Sequence, residues 1–84
     1  MPEIARFFGI LIKIFFRQGE YNSPHFHAIY GEYIGEFDIK NLTMIQGDLP
    51  PRAVSLVHEW AEIHQKELLD MWNSQKIYKL PPLV

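Results

Sequence analysis

No cysteine occurs among the 84 residues, so disulfide bonds, thiol nucleophiles and cysteine-ligated zinc are all excluded. An excess of charge is also missing, since eight Lys and Arg against ten Asp and Glu leave a net charge of −2. Proteins that hold nucleic acid through its phosphates ordinarily carry a basic surplus, so that partner is disfavoured. Long apolar runs are absent too. The strongest stretch, residues 7–16, has about half of the ~20 residues needed to span a bilayer, and Lys13 interrupts it. No small-residue cleavage site follows it, so a buried strand is expected there rather than a membrane or targeting segment. The chain shows no glycine-rich phosphate loop, nucleophile elbow or helical zinc motif. Repeats, low-complexity tracts and charge blocks are missing as well, and residues 1–84 read as one domain.

What is abundant is apolar surface: 48% of the residues are hydrophobic and 14% aromatic. A chain this short buries only ~60–65% of its unfolded surface. The surplus points to a homo-oligomer, a homodimer first of all, or to a permanent protein partner. The order of patterns gives an α+β protein: a small, mostly antiparallel sheet of three to four strands, followed by one long C-terminal helix packed on one face. Residues 3–17 read as a strand with a bulge at Gly9, and residues 18–24 as a loop. His25–Tyr30 and Tyr33–Ile39 read as a hairpin around Gly31-Glu32, where glycine in the first turn position suits a type II′ turn. A short strand is expected near Leu42–Gln46. Gly47-Asp48-Leu49-Pro50-Pro51 then opens a helix running from Arg52 to about Asn73. At 100° per residue, Ala53, Val54, Val57, Trp60, Ala61, Leu68, Met71 and Trp72 share one stripe of it.

Pro24-His25-Phe26-His27 concentrates the chemistry. Side chains alternate along a strand, so both imidazoles project from one face and Phe26 from the other. With a two-residue turn, Tyr30 meets Tyr33, Ala28 meets Gly35 and Phe26 meets Phe37 on one face. On the other face Ile29 meets Ile34, His27 meets Glu36 and His25 meets Asp38. A three-residue loop would mix the two faces, so the two-residue turn is the expected register. Two histidines then face two carboxylates at about 5 Å between Cβ atoms. His25, His27, Glu36 and Asp38 could bind a divalent metal such as zinc, manganese or iron. Equally, each carboxylate could orient an imidazole for proton transfer. The quartet could also be no more than a solvated face with weak cross-strand pairs.

His64 falls near the centre of the helical stripe, with Glu67 three residues on as its natural partner. It is expected across the sheet from His25 and His27, as a buried histidine or as a polar group in a pocket. His58 is expected on the surface.

The chain also resembles a known family. Pro2-Glu3-Ile4 with Arg6-Phe7 and Gly9-Ile10, then Asn22, Pro24-His25-Phe26-His27 and Leu49-Pro50-Pro51-Arg52-Ala53, carry the first part of the likeness. Glu59-Trp60, His64, Glu67-Leu68 and Trp72 complete it. Together they resemble the domain of unknown function 4160 family over nearly the whole chain. The resemblance implies a small cytoplasmic bacterial protein, often encoded beside another small protein in an arrangement that suggests a toxin–antitoxin pair. It implies no established activity. His25, His27, His64 and Glu67 sit at positions of its pattern, and Tyr30, Gly31 and Asp38 fit its hairpin.

Two expectations follow. One is a protein-interaction module of a toxin–antitoxin-like gene pair, binding a small protein from the neighbouring gene. The alternative is a small hydrolase or ribonuclease, metal-dependent or not, using His25 and His27 with Asp38 as the orienting carboxylate.

Overall fold

The computed structural model describes residues 3–14 and 23–83. An antiparallel meander runs in the order β1 (Glu3–Phe7), β2 (Ile10–Lys13), β3 (His25–Tyr30), β4 (Tyr33–Asp38) and β5 (Met44–Gly47). Helices α1 (Pro51–Ile63) and α2 (Gln65–Ser74) follow. The α+β class is as expected. The sheet, however, has five strands rather than three or four, and the single helix is two.

The first difference arises at Phe8-Gly9. The sequence reads there as a bulge in one strand, but the chain turns back, pairing Phe7 with Ile10. Phe8 and Gly9 adopt φ of 49° and 79°, the positive values at both central positions that define a type I′ turn. Asn-Gly or Asp-Gly would have signalled such a turn, whereas an aromatic residue is sterically disfavoured in that region. Residues 15–17 of the expected strand, and residues 18–22 of the loop after it, lie outside the described residues.

The second hairpin has the register read from the sequence, pair for pair from His25 with Asp38 to Tyr30 with Tyr33. Gly31 carries a positive φ of 60° and Glu32 does not, as a type II′ turn requires. Alternation then builds the core on one face. Ile10, Ile12, Phe26, Ala28 and Phe37 are buried there, joined by Ile4, Ala5 and Phe7 from β1. A bulge between Glu3 and Ala5 lets both Ile4 and Ala5 face inward. Phe26 stacks on Phe37 with ring centroids 5.4 Å apart, and Trp60 of α1 meets Phe26 edge-on at 6.0 Å. The helical stripe expected from the sequence is the one buried: Ala53, Val57, Trp60 and Ala61 on α1, with Leu68 and Met71 on α2.

The helix breaks at His64, whose φ of −109° and ψ of 20° interrupt the α conformation. No proline or glycine marks the place. A straight helix over residues 52–73 would be about 33 Å long, whereas strands of four to six residues span about 13–20 Å. The break lets α2 fold against the end of the sheet, where the Gln65 side chain donates to the carbonyls of Ile39 (2.8 Å) and Lys40 (3.0 Å). Beyond α2 the chain returns to β1: the Leu80 amide donates to the Ile4 carbonyl at 2.8 Å, and the Trp60 indole N–H donates to the Pro81 carbonyl at 2.9 Å. Among the described residues no helix is long and apolar enough to cross a membrane.

Candidate functional site

The face of the sheet opposite α1 carries two rows of side chains. Successive pairings align Glu3, Lys13, His27, Glu36 and Gln46 across all five strands, a polar row. Beside it run Arg6, Leu11, Ile29 and Ile34. The Glu3 carboxyl is held below its usual range, first by its hydrogen bond with Arg6 and also by the charge of Lys13.

At the β3–β4 end of the row, Glu36 gathers both histidines. Its Oε1 lies 3.5 Å from His25 Nε2 and 3.7 Å from His27 Nε2. His27 is its direct cross-strand neighbour; His25 is the diagonal one, within reach of a side chain as long as glutamate. The two imidazoles meet edge to face at 5.5 Å. One donor atom from each of His25, His27 and Glu36 lies within 4.8 Å of the others.

His25 is the buried member, only 6% exposed. The Trp72 ring covers it at 5.1 Å, and its Nδ1 stands 2.9 Å from the Ser23 carbonyl oxygen. The sequence placed Trp72 on the core stripe and gave no hint of this contact, because it depends on the break at His64. The Ser23 carbonyl was equally invisible, as any residue supplies one.

Asp38 is paired with His25 in backbone register, yet its carboxylate takes another role. Oδ2 accepts the Asn41 backbone N–H at 2.6 Å, closing the turn that leads to β5. An aspartate at the end of a strand commonly binds the backbone two or three residues on. The expected quartet is therefore gathered as a trio, with Asp38 behind it as a turn residue.

His64 is buried beside Trp60 at 5.3 Å between ring centroids, and its Nδ1 lies 3.5 Å from Glu67 Oε1. His64 and Glu67 form a pair of their own, outside the group of His25, His27 and Glu36. His58 is exposed. A cleft of about 530 Å³ lies at the far end of β3, lined by Phe8, Tyr30, Arg52 and Leu56 among others. No histidine or carboxylate lines it.

These features define a class: a small α+β protein with a five-stranded meander, α1 on one face, and a His-His-Glu cluster on the other whose buried histidine meets Trp72 of α2. Residues 9–73 match the family model described as domain of unknown function (DUF4160), and the chain belongs to that family. No curated protein and no solved structure matches the chain.

Proposed function

We propose that this protein is a binding module, one half of a toxin–antitoxin-like gene pair, which docks a small protein from the neighbouring gene on its open sheet face. The observation that carries the reading is the aliphatic row Leu11, Ile29 and Ile34, side by side across three strands on the face away from α1. Ile34 is 53% exposed. An apolar row bordered by a charged one has the make-up of a contact patch with a polar rim. The gene-pair element rests on the family resemblance, and the 48% hydrophobic composition agrees with a partner-bound life.

The test is co-expression of the untagged chain with the adjacent open reading frame carrying an affinity tag. A stoichiometric complex is expected, and Ile34→Glu should weaken it at least tenfold while leaving the circular dichroism spectrum intact. A chain that stays monomeric at every concentration with the neighbour present would overturn the proposal. So would a homodimer through this face that excludes the neighbour.

A second reading is favoured by the placement of one carboxylate oxygen against two imidazoles: a small hydrolase or ribonuclease in which His25 and His27 exchange protons and Glu36, rather than Asp38, orients them. Cleavage of RNA by the purified chain, abolished by His25→Gln with His27→Gln, would replace the first reading with this one.

A further inference from the structure

We propose that His25, His27 and Glu36 bind one divalent transition-metal ion, zinc being the ion their donor set suits best. Ser23 orients the His25 ring. Its carbonyl oxygen can only accept, so the 2.9 Å contact puts a hydrogen on His25 Nδ1. Nε2 is then the ring atom that faces Glu36 Oε1, 3.5 Å away, an attractive ion pair when it carries a second proton and a repulsive contact when it carries none. A lone pair and a carboxylate oxygen repel, and His25 is 6% exposed beneath Trp72, so water reaches the contact from the Glu36 side only. A metal ion in the place of that second proton also turns the contact attractive, and His27 Nε2 stands 3.7 Å from the same oxygen.

The dimensions agree. With zinc–donor bonds of about 2.0–2.1 Å, neighbouring donors of a tetrahedral site stand about 3.4 Å apart. Both separations to Glu36 lie within a few tenths of an ångström of that value. Donor atoms of the three residues lie within 4.8 Å of one another, so the remaining edge closes by side-chain rotation. The His25 Nδ1–H bond to a backbone carbonyl is the outer contact that metal-bound imidazoles ordinarily make, and it holds the ring in the required tautomer. Two imidazole nitrogens with one carboxylate suit zinc and its first-row neighbours, rather than calcium or magnesium, which prefer all-oxygen sites. Three protein ligands leave a position for water or for a group from a partner.

The experiment is titration of the untagged full chain with zinc in competition with a chromophoric chelator. One equivalent should bind. His25→Gln, His27→Gln and Glu36→Gln should each weaken binding by more than the about 10–100-fold that loss of an outer contact costs. His64→Gln should leave the affinity within twofold. Free zinc at a hundred times its Kd should raise the melting temperature by about 10–20 °C, an increase that Glu36→Gln removes. Glu36 is partly exposed and glutamine matches its shape, so that variant keeps its fold; circular dichroism checks it. Failure to bind stoichiometric zinc overturns the site. Binding that survives Glu36→Gln, or that is lost in His64→Gln, overturns it as well. The site stands apart from the docking reading: Ile34→Glu should leave zinc affinity unchanged whatever it does to the partner.

Discussion

Glu36 and Asp38 stand two residues apart on one strand and point from the same face, yet they do different work. Glu36 reaches two imidazole nitrogens, while Asp38 accepts the Asn41 amide at the strand's end. Register alone could not tell them apart, since each is the direct neighbour of a histidine. The extra methylene of glutamate gives the diagonal reach, and the turn that begins at Asp38 claims the shorter side chain. Asp38→Ala should therefore cost about 1.5–3 kcal/mol, the worth of a hydrogen bond to a charged group. Urea denaturation measures the loss, and the same variant should leave zinc affinity within twofold. Loss of zinc binding without loss of stability would return Asp38 to the site. Gly47, at φ of 93°, shows a different residue-scale constraint: a Cβ there would run into the Ile34 carbonyl oxygen, so only glycine lets β5 lie against β4.

At the scale of elements, the β3–β4 hairpin was legible because two independent signals agreed. Gly31 stood where a two-residue turn needs a positive φ, and only that register kept the faces distinct. The β1–β2 hairpin was not legible, because Phe8 occupies the position where Asn or Asp would announce the turn. Phe8 holds φ of 49° and is 60% exposed, so neither its backbone conformation nor its burial rewards it. Phe8→Asn creates the favoured type I′ pair with Gly9 and should stabilise the protein by about 0.5–1 kcal/mol. A denaturation midpoint that falls instead would mean that packing of the ring on its neighbours outweighs the backbone strain. The helices tell a similar story. Their apolar stripe follows from spacing alone, and it is buried as expected, but the break at His64 has no local cause. Gln65, bonded to Ile39 and Lys40, shows where it comes from: the end of the sheet.

For the molecule as a whole, the C-terminal tail fastens the two layers together. Leu80 is buried in the core, its amide bonds Ile4 on β1, and Pro81 accepts the Trp60 indole N–H from α1. Trp60 is fully buried and touches Phe7, Phe26 and His64. Removing residues 80–84 exposes apolar core and leaves that N–H without its acceptor. Burial of a leucine contributes about 1.5–3 kcal/mol and an unmet buried donor costs about 1–3 kcal/mol. With about 4–8 °C of melting temperature per kcal/mol in a domain of this size, the truncation should lower it by at least ~10 °C. A shift under about 3 °C, measured by circular dichroism, would show that the tail is dispensable to the core. The same tail borders β1, so the open sheet face should keep its zinc affinity in a truncated chain that still folds.

Local pattern was enough for the period-2 alternation of the hairpin, the face on which both histidines stand and the helical stripe that covers the other face. Each of these depends on residues close in sequence, or on a turn whose glycine declares itself. Tertiary contact decided the rest: that Glu36 and not Asp38 joins the imidazoles, that Trp72 lies on His25, and that the helix bends at His64. Those outcomes depend on where α2 meets the end of the sheet and on how far each side chain reaches once it is there. No spacing along the chain encodes such distances, because they arise only when strands and helices already share one core.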